Sequence, residues 1–165
     1  MFIFASLSCS FMRNVLFGIT LLLLVGLASC RSGGDGNVLL SRNFTDKGWE
    51  RFDFITCEVT VKQPVTYDLV MEATFAPSYP YDELAVVFSV FDADDNPMRA
   101  KSYRFRLKDM DNQWKSELKD GSYTFKLPIN SELSLTDPGT YRFQLENRMP
   151  ITPLAGIKKV AIIKQ

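Results

Sequence analysis

Apolar and polar residues alternate with a period of two in one segment after another beyond residue 54. Successive side chains of a β-strand point to opposite faces, so this period is typical of strands with one buried and one solvated face. A helix would space its apolar residues three and four apart, and the mature chain shows no convincing case. The chain is therefore predicted to be all-β. The clearest apolar faces are Ile55, Cys57, Val59 and Val61; Tyr67, Leu69, Met71, Ala73 and Phe75; and Tyr103, Phe105 and Leu107.

Turn-forming residues separate these segments. The nearly all-apolar stretch 84–91 is expected to be a central strand buried on both faces. Ser131–Leu135 is the one place where a turn of helix is considered. The pattern predicts a single-domain antiparallel β-sandwich over residues 38–165, of jelly-roll or immunoglobulin-like type, with about eight strands. The turn segments are Pro64, 76–81, 92–97 and 137–139.

The N-terminus has the pattern of a bacterial export signal. Residues 1–29 are predicted to be a lipoprotein signal peptide, with Met12 as an alternative start. Arg13 supplies the positive charge, and the apolar run 15–27 suits a signal peptide but is too short to span a membrane comfortably. The alternative is an uncleaved anchor, and it would place Arg13 at a costly position in the middle of the span.

Leu27, Ala28, Ser29 and Cys30 follow in the order of a lipobox: an aliphatic residue, two small residues, then Cys. Cys30 is predicted to carry a diacylglycerol through a thioether. Each buried methylene of the acyl chains contributes about 0.8 kcal/mol to the anchor. Residues 30–37 are predicted to form the lipidated tether. Since no acidic cluster follows Cys30, we expect a lipid-anchored protein of the outer membrane that faces the periplasm.

The chain contains no His. Ser-His-Asp and Cys-His nucleophile arrangements and the usual zinc sites are thereby excluded, and we predict no enzyme activity, no metal and no cofactor. Removal of residues 1–29 takes one of the 19 bases and none of the 19 acids. Nucleic-acid binding would need a basic excess, so it is not expected. Cys57 is the one thiol of the predicted domain, and we expect it to be buried and inert.

Asp92, Asp94 and Asn96 match the first three ligand positions of a calcium loop. The pattern then fails, because Pro97 stands where Gly is needed and Tyr103 where Glu is needed. An ordinary hairpin loop is the favoured interpretation, and a weak cation site is the alternative.

Four aromatic residues lie in or beside the predicted loops: Trp49, Tyr79, Tyr81 and Trp114. They could stack on sugar rings or contact a partner protein. The favoured interpretation is that each of them plugs an end of the sandwich.

A basic row is expected on one strand face, formed by Arg104, Arg106 and Lys108. A solvated face neutralised by nearby acids is the favoured interpretation of this row. Partner docking is the alternative.

Short motifs occur in a characteristic order after the lipobox. They are Trp49 with Asp53; Tyr-Pro-Tyr-Asp-Glu-Leu at 79–84; Leu107, Asp109 and Trp114; Pro-Gly-Thr-Tyr-Arg-Phe at 138–143; and Met149 before Pro-Leu-Ala-Gly-Ile at 153–157, with Val160. In this order the chain resembles the gliding-motility lipoprotein GldH family of Bacteroidetes. It departs from the family in lacking a Gly at 110–113 and in having Pro150 where an Arg usually follows the Met.

The resemblance implies an accessory protein of the cell envelope that acts with other lipoproteins in surface gliding, a system linked to type IX secretion. Relatives also occur in Bacteroidetes that do not glide. The family is not known for catalysis, so no catalytic residue is carried over. The expected partners are the membrane, through the lipid, and other envelope or gliding proteins. A carbohydrate-binding outer-membrane lipoprotein is the alternative function, and it would use the four loop aromatics.

Cys30→Ala is expected to abolish acylation, because no other residue of the lipobox offers a thiol. Metabolic labelling with an alkynyl fatty acid should mark the wild-type protein and leave the variant unlabelled and released from the membrane fraction. Cys57→Ala is the matched control and should stay labelled. Labelling that survives Cys30→Ala would refute the assignment.

Overall fold

The computed structural model describes residues 36–165, so the predicted signal peptide, the lipobox with Cys30 and most of the tether lie outside the described residues. Residues 36–165 form nine β-strands and contain no helix. The strands are β1 Val38–Asn43, β2 Ile55–Val61, β3 Val65–Phe75, β4 Glu83–Phe91, β5 Pro97–Arg106, β6 Leu118–Lys119, β7 Ser122–Leu135, β8 Gly139–Asn147 and β9 Ile157–Lys164.

The strands form two antiparallel sheets, and this confirms the predicted all-β sandwich. One sheet has the order β1-β9-β3-β7-β6, and the other has the order β2-β8-β4-β5. Most connections cross from one sheet to the other. The inner faces of the two sheets enclose one continuous hydrophobic core.

The structure has nine strands where about eight were predicted, and two of them, β1 and β6, lie outside the alternating segments. β1 begins with Val38-Leu39-Leu40, which does not alternate, and it is held by its pairing with β9. The two-residue strand β6 pairs with the start of β7. β1 depends on β9, which is distant in the chain, and β6 depends on β7, which follows it directly. Neither strand is predicted by a local pattern.

The helical turn considered at Ser131–Leu135 is wrong, because these residues belong to β7. A bulge interrupts the pairing of β7 with β3 near Asn130. Glu132 adopts a φ of 58° there, and its N–H donates to the Asp68 carboxylate at 2.8 Å. The extra residues that suggested a turn are thus accommodated by a bulge within a strand.

β4 is a central strand, as predicted, and its core-facing side is fully buried; on the other side Ala85 and Ser89 are buried but Val87 and Phe91 are only half-buried. It pairs with β8 on one side and with β5 on the other. Val86, Phe88 and Val90 face the core and are at most 1% exposed. Phe88 meets Phe143 of β8 edge to face, with ring centroids 5.5 Å apart. Burial of each such side chain contributes about 2 kcal/mol, so β4 is a main source of stability.

The long connections all lie at one end of the sandwich, which we call the loop end. It comprises residues 44–54, 76–82, 107–117 and 148–156. The opposite end, the tether end, holds the short turns 62–64, 92–96 and 136–138 and both ends of the described chain. There the Lys164 N–H donates to the Asn37 carbonyl at 2.9 Å. The predicted tether therefore enters the domain at the end remote from the long loops.

Among residues 36–165 no helix is long and apolar enough to cross a membrane.

The turn at 92–96 is a hairpin loop closed by its own side chains. One Asp92 carboxylate oxygen accepts the N–H groups of Asp94 and Asn96, both at 2.9 Å. The Asn96 side-chain amide donates to the other carboxylate oxygen at 3.1 Å; this hydrogen bond is the main cause that lowers the pKa of Asp92, and the two backbone hydrogen bonds lower it further. The carboxylate is thus engaged by the turn itself.

Cys57 is half-buried rather than buried, because β2 is an edge strand of its sheet. Burial still raises the pKa of its thiol to about 11. At pH 8 the folded thiol is therefore protonated, and only the thiolate is an effective nucleophile.

In a Cys9→Ser, Cys30→Ser variant, whose one remaining thiol is Cys57, that thiol is expected to react with Ellman's reagent at pH 8 much more slowly in the folded protein than in urea. A raised folded pKa also means that this group's contribution to stability is complete below about pH 8.5, the unfolded pKa, and is lost as pH rises towards 11. Cys57→Val should remove that part of the alkaline loss in urea-unfolding curves. Equal reaction rates in folded and unfolded protein would contradict this assignment.

Candidate docking surface at the loop end

The fold brings the four predicted loop aromatics to the same end of the domain. Trp49 lies on the connection from β1 to β2, Tyr79 and Tyr81 lie between β3 and β4, and Trp114 lies between β5 and β6. Their environments differ, and the difference decides which of them a ligand could reach.

Trp49 is fully buried and closes one side of the core at the loop end. Its ring packs on Phe44 with centroids 5.4 Å apart, and its indole N–H donates to the Asp53 carbonyl at 2.8 Å. Its backbone exchanges two hydrogen bonds with Leu154, at 3.2 and 2.9 Å. Trp49 is therefore held on its ring, its indole nitrogen and its backbone.

Tyr79 is 1% exposed and stands beside Phe75, with ring centroids 4.7 Å apart. Its hydroxyl donates to the Glu83 carbonyl at 2.8 Å. Burial is the main cause that raises the pKa of Tyr79, and the neighbouring Tyr81 and Glu83 raise it further. The phenol is a neutral structural donor at physiological pH.

Trp114 is the centre of an aromatic plug formed by Phe75, Tyr79, Trp114, Tyr123 and Phe125. It stacks on Tyr123 with centroids 4.3 Å apart and an interplanar angle of 14°.

Lys108 is 8% exposed, so it does not belong to a solvated basic row, and that expectation is corrected. Its ammonium nitrogen lies 4.9 Å from the Trp114 ring centroid and 3.5 Å from the Tyr79 carbonyl oxygen. The aromatic face and the carbonyl oxygen compensate for part of the hydration that the ammonium loses on burial.

The burial of Trp49 and Tyr79 corrects the idea of a four-ring platform for sugars. Neither ring offers a face to solvent, because each one fills the end of the core. Tyr81 and Trp114 are half-buried, and Tyr81 stands at 77° to Tyr79. Contact of a ligand with Tyr81 or Trp114 stays a prediction.

The connection from β8 to β9 is clamped between the loops that carry Trp49 and Tyr79. On one side, Gly48 has a φ of 80° and packs so closely that a Cβ would lie 2.6 Å from the Leu154 carbonyl carbon. On the other side, a Cβ on Gly156 would lie 2.8 Å from Cα of Tyr79. Both positions require glycine, and both tie the Pro-Leu-Ala-Gly-Ile segment to its neighbours.

Polar contacts extend this clamp along the same connection. The Arg51 guanidinium donates to the carbonyls of Met149 and Pro150, both at 2.9 Å. The Arg51 N–H donates to the Thr152 hydroxyl at 2.9 Å, and the Asn147 amide donates to the Trp49 carbonyl at 3.0 Å. The first and last loops therefore form one hydrogen-bonded unit.

This unit carries an exposed apolar surface, which we call the apolar rim: Phe52, Phe54 and Ile151. They are 78%, 43% and 55% exposed. Phe52 and Ile151 directly adjoin the hydrogen-bonded pair of Arg51 and Thr152. The sequence pattern predicted none of these three residues as part of an exposed surface. The signal was two phenylalanines in a stretch without alternation, where a pattern cannot tell a buried ring from an exposed one.

A bidentate ion pair fixes the backbone between the two phenylalanines of the rim. The Asp53 carboxylate accepts hydrogen bonds from both terminal nitrogens of Arg42, a residue of β1, at 2.8 and 2.6 Å. A bidentate pair of this kind fixes the relative orientation of the two side chains in addition to pairing their charges. The apolar rim is thus exposed and also held in place, and such a surface can bind a partner without first being ordered.

The fold and the loop end together define a single-domain antiparallel β-sandwich with a rigid apolar surface at one end. The sequence profile of the GldH lipoprotein family matches residues 40–163, which span β1 to β9 and all four loops. The chain belongs to the GldH lipoprotein family. It is therefore a lipoprotein of the gliding-associated class, and the family places it at the cell envelope through its lipid.

Other comparisons add little to this assignment. No curated protein matches the sequence significantly. A solved structure described as "CBM4 structure and function" aligns with 76% of this chain and 70% of its own, at 10% identity and a TM-score of 0.33. A similarity of that size supports no statement about ligand or function.

Gly48→Ala is expected to destabilise the domain by about 2–4 kcal/mol, because it adds both a left-handed alanine and an overlap with the Leu154 backbone. Gly121→Ala is the matched control, since Gly121 has a φ of 67° but open space around it; it should cost only about 1 kcal/mol. Urea unfolding of the three proteins measures both values. Equal costs at the two positions would show that the loops do not clamp each other.

Proposed function

We propose that this protein is a non-catalytic envelope lipoprotein that docks, through its loop end, onto another protein of the machinery for gliding and type IX secretion. The observation that carries the proposal is the apolar rim: Phe52 is 78% exposed on a backbone fixed by the Arg42–Asp53 ion pair. A large exposed aromatic residue is unfavourable in water, and aromatic residues are enriched among those that dominate binding energy.

The position of the rim relative to the tether supports docking away from the bilayer. The tether reaches the domain at Val38, and the strands run from there towards the loop end over roughly 20–35 Å, at about 3.3 Å per residue. A lipid on Cys30 would hold the tether end near the membrane and leave the loop end free to meet a partner. The outer membrane, with the domain in the periplasm, is the location we propose.

A docking role also fits the chemistry of the loops. Their polar side chains are engaged in holding the loops together: Arg51 and Asn147 donate to carbonyls, and Asp53 accepts from Arg42. The chain has no His to act as a base near neutral pH. What the loop end presents outward is apolar surface of fixed shape, and such a surface suits recognition better than catalysis.

Phe52→Ser is expected to lower co-capture of the partner from intact envelopes about tenfold or more, because loss of a central aromatic contact commonly costs 2 kcal/mol or more. Leu118→Ser is the matched control: Leu118 is 54% exposed but lies on β6, at the opposite edge of its sheet from β1. It should leave co-capture and gliding or secretion unchanged. Both variants should unfold like the wild type.

A photo-crosslinking residue placed at Ile151 gives a second test. It should form a discrete crosslinked species with one envelope protein, whereas the same residue at exposed Thr60, at the tether end of β2, should not. Full co-capture by Phe52→Ser, or identical crosslinking from both positions, would reject the loop end as the docking surface.

A further inference from the structure

β5 is a free edge of its sheet. It pairs with β4 on one side, and within residues 36–165 no strand pairs with it on the other. The pairing is regular from Arg99 to Arg106, with an irregularity only at the Pro97 end. Alternate N–H and C=O groups of this stretch therefore point away from the sheet, where an added strand could bind them.

This edge carries charge of a single sign. β5 contains four cations, Arg99, Lys101, Arg104 and Arg106, and no acid. Arg104 pairs with Glu83 of β4. The other three cations form no salt bridge within the part of the chain that the structure describes. They are exposed, so their charge is available to an approaching anion.

The cations lie on both faces of the strand. The pairing with β4 sets Lys101 opposite Phe88 and Arg99 opposite Val90, so these two cations share the core-facing side. Arg104 and Arg106 belong to the other side. A segment that pairs with this edge would meet cations on both of its own faces.

The core-facing side also holds an unsatisfied group. Tyr103 and Phe105 are half-buried and stack with centroids 5.7 Å apart, and the Lys101 ammonium lies 5.1 Å from the Tyr103 ring centroid. The Tyr103 hydroxyl is buried and has no hydrogen-bond partner among the described residues. Buried hydroxyls are normally paired, so this one is a donor at the edge whose hydrogen bond an acceptor from outside the chain would satisfy.

The other edges are less open to a new strand. β1 and β2 lie against each other and close one side of the sandwich. β7 contains Pro128, which donates no hydrogen bond, and its run is broken by the bulge near Asn130. β5 has neither feature between Arg99 and Arg106.

We propose that β5 is a strand-acceptor site for an extended acidic segment of a partner protein. Acids of that segment would face Arg99, Lys101 and Arg106, and its apolar residues would cover Tyr103 and Phe105. A second copy of this chain is a poor occupant, because two β5 edges would bring cations against cations. The site lies along the side of the sheet and does not depend on the docking proposed for the loop end.

The test uses the mature lipoprotein in detergent and a synthetic eight-residue peptide. The peptide places Glu opposite Arg99, Lys101 and Arg106, Val opposite Tyr103 and Phe105, and Thr elsewhere in an antiparallel register. Fluorescence anisotropy should show saturable binding. Hydrogen exchange should show new protection of the outward amides between Arg99 and Arg106, because an added strand must pair with them.

Two control peptides separate strand addition from simple charge attraction. An N-methylated peptide of the same sequence keeps the charge but loses the backbone donors. A peptide with Lys in place of Glu keeps the backbone but reverses the charge. Both should bind at least about tenfold more weakly, a loss of about 1.4 kcal/mol.

Matched protein variants locate the site. The triple variant Arg99→Glu, Lys101→Glu and Arg106→Glu should abolish binding. The triple variant Lys47→Glu, Lys62→Glu and Lys126→Glu makes the same change in net charge at exposed positions away from β5 and should keep most of the affinity. Single Lys101→Gln is the milder variant if the first triple folds poorly, and it should weaken binding several-fold.

Several outcomes would overturn the proposal. Equal binding of the N-methylated peptide, or no protection of β5 amides, would leave only non-specific attraction of anions. Equal loss in both triple variants would assign the effect to net charge. Binding to phosphatidylethanolamine vesicles that contain phosphatidylglycerol, without binding of the peptide, would mark the strand as a lipid-binding surface instead.

Discussion

The backbones of Trp49 and Leu154 exchange two hydrogen bonds, and the order of the whole loop end depends on this junction. Two loops far apart in sequence can approach so closely only because Gly48 carries no side chain there. Once they meet, the Trp49 ring closes the core, and Arg51 and Asn147 bind the carbonyls that the junction brings near. Backbone pairing, core closure and surface shape are therefore parts of one arrangement.

The same arrangement explains why aromatic residues at this end behave in opposite ways. Rings that face the junction between the sheets, such as Trp49 and Tyr79, are buried and hydrogen-bonded. Phe52 follows Trp49 in the chain and lies on the outer side of the junction, where its ring is exposed because the core is already filled. The Arg42–Asp53 ion pair then fixes the backbone, so the exposed ring cannot relax inward. Exposure is here a consequence of rigid packing beneath the surface.

The GldH lipoprotein family match spans the strands and every loop, so the clamp belongs to the region that defines the family. The Tyr-Pro-Tyr bend and the Pro-Leu-Ala-Gly-Ile segment, which carried the resemblance, turn out to be in contact: Gly156 packs against Tyr79. These motifs thus have a structural explanation that requires no ligand. The surfaces proposed for recognition, the apolar rim and the β5 edge, lie on residues outside those motifs.

The alternation of apolar and polar residues was sufficient to predict the sandwich and the apolar faces of β2 and β3, because strand geometry is local and repeats every two residues. The central strand β4 was predicted from a continuous apolar run instead. The leader and Cys30 were predicted from local pattern as well, and they stay predictions because they lie outside the described residues. Strand β1, the bulge at Asn130 and the burial of Lys108 could not be predicted, since each depends on a neighbour elsewhere in the fold. The contrast between Trp49 and Phe52 has the same cause. Both are aromatic residues of one loop, and only the approach of Leu154 from the distant end of the chain decides which is buried.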